Sequence, residues 1–192
     1  ANTIEDAREK STNIDHYNDD RRELEKRKTD EAIKFIEENV YRKKKKSIVV
    51  YNENWHKGVI GIVASRLTEK YLRPAVVLTK SQGLITGSAR SVMGFDVYKA
   101  IEACKDILEN FGGHTYAAGL SLREENLLDF KSRFEELSME MIAPEMMRPQ
   151  INIDAELTFR DINSKFIEDL ANVAPFGPEN LNPIFVTWGV QD

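Results

Sequence analysis

The chain has 192 residues, 41% of them hydrophobic and 31% charged, enough for one full domain of about 100–150 residues and part of a second. Its longest apolar runs, such as Ala75 to Leu78, fall far short of the roughly 20 residues that a membrane span needs, which excludes one. The lone cysteine, Cys104, rules out an internal disulfide, and with three histidines it cannot complete a tetrahedral zinc site unless carboxylates help; a reducing, cytoplasmic setting follows.

The formal net charge of −5 averages over unlike parts: residues 1–46 carry +1, residues 47–122 carry +2 and residues 123–192 carry −8. A polyanion is therefore compatible with the middle of the chain. The opening, Ala1-Asn2-Thr3, has neither an initiator Met nor a signal pattern, as in a piece of a longer protein.

From Tyr17 to about Asn39 the sequence is dense in charge and free of Gly and Pro, which predicts a helix. Only its second half is striped, by Ile33, Ile36 and Val40; the first half is polar nearly all round, as in a helix that bridges two domains through solvent. Asp15, His16, Asp19 and Asp20 are the nearest approach to a metal cluster, and a solvated helix face explains them better. Arg42 to Lys46 then forms a basic run before Ser47 to Tyr51, either a phosphate-backbone patch or a solvated turn that keeps an edge strand soluble.

An apolar strand at 47–51, a helix from Gly58 to Tyr71 and a buried-type strand at Ala75 to Thr79 predict a parallel crossover. Leu84 and the residues after it form a further strand that leads into a loop at Gly87 to Ser91, and Phe95 to Leu108 has helical periodicity. A loop at Asn110 to His114 precedes a small-residue strand, Ala117 to Leu122, and a helix from about Glu124 to Met141. The fold class is α/β, with a mixed, partly parallel sheet flanked by helices. Pro144 and Pro149 punctuate the chain; beyond them Ile151 to Leu157 alternates with period two, Ser164 to Val173 is a short helix and Ile184 to Trp188 a last strand. The expected divisions are 1–46, 47–143 and 144–192.

Three glycine-marked places bring backbone N–H groups near side chains suited to an anion. Trp55-His56-Lys57-Gly58 stands where a helix begins, and a helix N-terminus presents unpaired donors and a positive dipole end; close packing of helix on sheet would explain the glycines equally. Gly87-Ser88-Ala89-Arg90-Ser91 offers a guanidinium fork with two hydroxyls, though an arginine there also caps helices or pairs with a carboxylate such as Asp96. Gly112-Gly113-His114 can expose successive N–H groups beside an imidazole, or can be a tight turn with a satisfied histidine. No nucleophile stands with its base, and Cys104 falls on an apolar helix stripe, so it packs rather than reacts.

These separated motifs, His56 to Leu67 with Arg73-Pro74-Ala75, Gly87 to Ser91 and Gly112 to Gly119, together resemble the DHH-associated domain of the DHH phosphoesterase superfamily, in its single-stranded-DNA exonuclease branch. Asn18 to Glu23 resembles the start of the helix that joins the two core domains of that branch, and Ala174 to Asn180 the segment leading into its oligonucleotide-binding fold. The resemblance implies 5′-to-3′ hydrolysis of single-stranded DNA in DNA repair and recombination. Manganese or magnesium would be held by an N-terminal domain whose ligands this chain lacks, so the chain alone would be inactive. It also implies that Ser88 and Arg90 hold a 5′-terminal phosphate and that Gly112, Gly113 and His114 contact phosphate near the scissile bond. His56, Trp55 and Arg66 are further substrate-binding expectations, with Arg66 open to a structural role. The alternatives are a small-oligonucleotide or cyclic-dinucleotide phosphodiesterase, against which the segment after Pro144 argues, and a non-catalytic interaction module.

Overall fold

The computed structural model of the chain describes residues 3–38, 45–149, 151–177 and 179–190. Two compact units divide it, residues 1–148 and 149–192. In the first, strands β1 (Ile48–Tyr51), β2 (Ala75–Ser81), β3 (Leu84–Arg90), β4 (Asn110–His114) and β5 (Ala117–Leu122) make one sheet in the order β1-β2-β3-β5-β4. β1 and β2 are parallel, joined by the crossover helix α2 (Ile60–Tyr71), and all other pairs are antiparallel. The strand–helix–strand expectation and the mixed sheet are both found.

Period two decides what each face of the sheet holds. Val76 and Leu78 of β2, Ile85 and Ala89 of β3, and Ala118, Leu120 and Leu122 of β5 turn to one side. They are buried there under α3 (Val97–Glu102) and α4 (Leu127–Met141), whose Phe130 and Phe134 stack at 5.7 Å. On the other side Ile48, Val50, Ala75 and Val77 pack under Val63, Ala64 and Leu67 of α2, with Ala32 and Ile36 of helix α1 (Ile4–Glu37) behind. That second layer covers β1, β2 and, through the first turn of α2, the Ser88–Arg90 end of β3, while β5 and β4 are left open on the side of α2.

α1 is longer than its sequence stripe implied. Thr3 caps it by accepting from the Asp6 amide, Glu5 and Asp6 sit in its first turn, and Lys10 pairs with Asp6, all of which favour an early start without any burial. No residue before Thr29 is buried, and His16 faces Asp20 on the exposed surface. Val40 and the basic residues Arg42, Lys43 and Lys44 lie outside the described residues. Lys46 is occupied structurally, its Nζ donating to the carbonyls of Met139 and Ile142 at the end of α4, while Glu135 accepts from the amides of Lys46 and Ser47.

Three local expectations are corrected. Gly87 to Ser91 is not a loop, because β3 runs on to Arg90, and Asn110 to His114 is strand β4. Glycines suggested loops at both places, but β5 supplies ladder partners to β3 and β4 along their lengths, and pairing outweighs propensity. The helix expected over Phe95 to Leu108 is cut to α3 with a single 3-10 turn at Lys105–Ile107, starting where the Asp96 carboxylate accepts from the Lys99 amide.

The second unit holds a two-residue parallel pair, β6 (Ala155–Glu156) with β7 (Phe185–Val186), and α5 (Ser164–Asn172) capped by Asn163. Phe166 meets Phe185 edge-on at 5.4 Å. The strand expected over Ile151 to Leu157 shrinks to two residues because β7 pairs with no more than that, and Ile151 and Ile153 stay exposed. Pro178 lies outside the described residues. No helix among the described residues is long and apolar enough to cross a membrane.

Candidate nucleic-acid interface

The open half of the sheet carries a lattice of polar and small residues set by strand register. Arg90 of β3 and His114 of β4 both stand opposite Ala117 of β5, one from each side. One step along, Ser88 and Gly112 stand opposite Gly119; one step further, Thr86 and Asn110 stand opposite Ser121. With strands about 4.8 Å apart, the Arg90 and His114 backbones are about 10 Å apart, a span two long side chains can close above the methyl of Ala117. Ser88, Arg90, Gly112 and His114 are thus brought together on one face.

Gly113 belongs to the same strand but points to the opposite side, and its role is in the backbone. Its φ of +152° and the 2.3 Å that would separate an added Cβ from the Ala117 carbonyl oxygen leave glycine as the residue that fits.

Arg90 is tied down on one edge and open on the other. Its Nη1 donates to Ser88 Oγ at 2.9 Å and to the Ala89 carbonyl at 2.8 Å, while no carboxylate pairs with it among the described residues. The Asp96 pairing considered from sequence does not occur, since Asp96 caps α3. Among the described residues Nη2 and Nε donate to no protein acceptor, and Ser88, accepting from Arg90, keeps its own proton to donate. The first turn of α2 sits over this pair: a Cβ on Gly61 would lie 3.1 Å from both Arg90 Nη2 and Ser88 Oγ. Val59, at the N-cap of α2, makes no side-chain cap, and the first turn holds no acidic residue, so the positive end of the dipole is left without a carboxylate of its own.

The two histidines are oriented alike. His114 Nδ1 accepts from the Tyr116 amide at 3.3 Å and His56 Nδ1 from the Gly58 amide at 3.1 Å. Each neutral ring therefore carries its proton on Nε2, ready to donate outward. His56 and Lys57 are exposed on the loop between β1 and α2, which is drawn over the sheet by Thr79 Oγ1 donating to the Trp55 carbonyl at 2.6 Å.

Trp55 and Arg66 stand apart from this group. Trp55 is 5% exposed within the core under α2, and its Nε1 donates to Glu31 on α1; an indole of that size in an apolar layer is packing, with one polar tip satisfied. Arg66 projects from α2 toward α1, where its Nε meets Glu25, while its Nη1 meets Glu69 one turn on in α2 itself, each at 3.2 Å. Further along the same strands, a hollow of about 440 Å³ is lined by Lys57, Gln82, Thr86, Asn110, Ser121 and the glycines 112 and 119, together with the apolar residues Leu84, Phe111 and Leu120. Sequence reasoning singled out no role for Lys57, Gln82, Thr86, Asn110 or Ser121. Their signal was the shared alternation of Thr86-x-Ser88-x-Arg90, Asn110-x-Gly112-x-His114 and Ala117-x-Gly119-x-Ser121, which shows once all three are read as strands.

An arginine fork and a serine beneath the first turn of α2 thus share a sheet face with a histidine. The DHHA1 domain family model matches residues 44–140, the whole of this sheet. The chain belongs to the DHHA1 family. The RecJ OB domain model matches residues 153–192, within the second unit. Over 180 residues the DHHA1 chain is 36% identical to the single-stranded-DNA-specific exonuclease RecJ of Bacillus subtilis, covering 93% of itself and 23% of that protein. With the RecJ of Haemophilus influenzae the identity is 33% over 192 residues, covering 96% and 33%. The crystal structure of RecJ from Thermus thermophilus in complex with Mn2+ superposes with a TM-score of 0.82 at 26% identity, over 97% of this chain and 27% of that one. A second structure of the same protein holds Mg2+. The chain spans about a quarter to a third of the length of the curated relatives it matches.

Proposed function

We propose that this chain is the substrate-gripping part of a 5′-to-3′ single-stranded-DNA exonuclease, with Ser88, Arg90 and His114 holding the 5′-terminal phosphate and backbone. The single observation that carries the reading is the register that sets Arg90 and His114 on either side of Ala117, with Arg90 and Ser88 beneath the first turn of α2. A terminal phosphate is a dianion with three outer oxygens. Arg90 Nη2 and Nε, the Ser88 hydroxyl, His114 Nε2 and the α2 amides supply donors from two sides. Gly112 lets the strand come close to the backbone beside it, and His56 and Lys57 extend the surface.

Among the described residues, no group of three or more His, Cys, Asp and Glu could hold an ion. No step of hydrolysis is therefore assigned to them. In this reading the manganese or magnesium that activates water is held by residues beyond this chain, and the work is done on DNA in the cytoplasm, in repair and recombination. The RecJ OB match at 153–192 favours a long single strand over a cyclic dinucleotide as substrate.

Binding of 5′-phosphorylated single strands is tested by fluorescence anisotropy against salt. Each neutralised phosphate contributes a slope of about −0.7 in log–log form. A 5′-hydroxyl strand is expected to bind more weakly with a shallower slope, and the purified chain to release no nucleotide with manganese present. Equal slopes and equal affinities for the two strands would remove the terminal-phosphate assignment.

A further inference from the structure

All five methionines of the chain fall between residues 93 and 147, and three of them sit on or at the start of one strap. α4 ends at Met141, and residues 142–148 then pass through a single 3-10 helix, Pro144–Met147, before the second unit begins at Pro149. Met141, Met146 and Met147 are half-buried, packed on the core cluster that includes Val92, Phe95 and Ile142. Met146 lies flat on Gly94: a Cβ at residue 94 would stand 3.2 Å from its Cε and 3.4 Å from both Cγ and Sδ. Gly94 also has a φ of +85°, so the turn and the thioether each call for glycine there.

That seat is part of the turn by which the chain leaves Arg90. Ser91 Oγ donates to the carbonyls of Val92 and Phe95, and the Phe95 amide donates to the Val92 carbonyl. The Ser91 amide donates to the carbonyl of Tyr116 at the tip of the β4–β5 hairpin, two residues from His114. We infer that Met146 is a site of reversible oxidation, whose sulfoxide unseats the strap from Gly94 and loosens the turn at 91–95. The oxidant is a peroxide. With hydrogen peroxide the Sδ lone pair takes one oxygen, the O–O bond breaks, and the other oxygen leaves as hydroxide and collects the transferred oxygen's proton to become water; sulfur is oxidised and peroxide reduced. A thiol-dependent sulfoxide reductase reverses the step, the oxygen leaving as water while two thiols become a disulfide. The thioether fits Gly94 as a flat apolar contact, whereas an S=O group adds an atom and a dipole that seek water. Cys104 is fully buried, so the methionine sulfurs are the ones a peroxide meets. Met93 and Met139 are exposed; they oxidise first and disturb no packing. Any consequence for strand binding rests on the phosphate reading above.

The experiment treats wild type and Met146→Leu, each as the whole chain, with hydrogen peroxide, and maps the added oxygens by mass spectrometry. In wild type, oxygen on Met146 should speed amide hydrogen exchange by about tenfold at 91–95 and at 142–148 together, as a local opening does. Binding of a 5′-phosphorylated single strand should weaken by about fivefold, the scale of one lost contact. Sulfoxide reductase with dithiothreitol should restore both. Leucine keeps the volume of methionine without a sulfur to oxidise, so Met146→Leu should hold slow exchange and full affinity after peroxide, although Met93 and Met139 still react. Met146 left unmodified by peroxide that converts Met93 and Met139, faster exchange confined to 142–148, or changes of equal size in Met146→Leu would overturn the inference. Exchange is read without DNA. If the untreated chain binds 5′-phosphate and 5′-hydroxyl strands equally, the phosphate reading fails, and the exchange contrast between the two proteins still decides the role of Met146.

Discussion

Gly61 in the first turn of α2 lies directly against Arg90 on β3: a Cβ at residue 61 would stand 3.1 Å from Nη2 of the guanidinium. Helix and strand are thus fitted to each other at the point where the helix dipole emerges. The atoms it would meet are the ends of Arg90 and Ser88, which can yield by a few tenths of an ångström, so the fold tolerates a methyl there and the helix gains up to about 1 kcal/mol over glycine. Gly61→Ala should leave the urea midpoint unchanged or raised. It should weaken binding of a 5′-phosphorylated strand by about 1 kcal/mol, the scale of one hydrogen bond, because the guanidinium is displaced. Parallel losses of stability and binding would show a packing glycine instead.

Arg90→Ala should cost 5′-phosphorylated strands about 1.5–3 kcal/mol, the range of a hydrogen bond to a charged group, and 5′-hydroxyl strands far less. Arg90→Lys should recover only part of this, since an ammonium cannot hold Ser88 Oγ and the Ala89 carbonyl through one nitrogen and present a fork on the other side. Anisotropy titrations with the two end chemistries check both variants.

Trp55→Phe separates a structural role from a binding one. The indole N–H to Glu31 bond is lost and the ring volume is largely kept, so stability should fall by about 1 kcal/mol with strand affinity unchanged. The Glu31 carboxyl is also held below the usual carboxylate range. Partial burial pushes it up, but hydrogen bonds from Lys28 and Trp55 and the charges of Lys28 and Arg27 outweigh that. A depressed folded value means the contribution is complete above the unfolded pKa and is lost as pH falls through the folded one. Urea midpoints measured downward from pH 7 should therefore converge for wild type and Trp55→Phe in acid; a constant gap would remove Glu31 from the account.

Cys104 is fully buried under the sheet, and burial pushes its thiol up to about 11, with Sγ turned to the Ala100 carbonyl. At pH 8 almost none of it is thiolate, and reagent has no path to it. Its labelling should therefore be slow in the native protein and should rise in step with global unfolding as urea is added. Rapid labelling without urea would contradict the packing of α3 on the sheet.

The sequence by itself determined the α/β class and the parallel crossover from β1 through α2 to β2, and it singled out Ser88, Arg90 and His114 by the charge and donors their side chains carry. Those follow from short-range signals: apolar period, proline and glycine placement, and residue types whose charge and donors are intrinsic. Only the tertiary structure decided that Gly87 to Arg90 and Asn110 to His114 are strands, because β5 pairs with both and the ladder overrides the local preference of glycine. That pairing in turn set Arg90, Ala117 and His114 in one row, turned Gly113 away from it, and opened the hollow over Gly112 and Gly119. It also buried Trp55, which by residue type alone was as good a partner for a base as for a core. Register and burial are relations between segments distant along the chain; a one-residue slip in either pairing would reverse which face each side chain occupies.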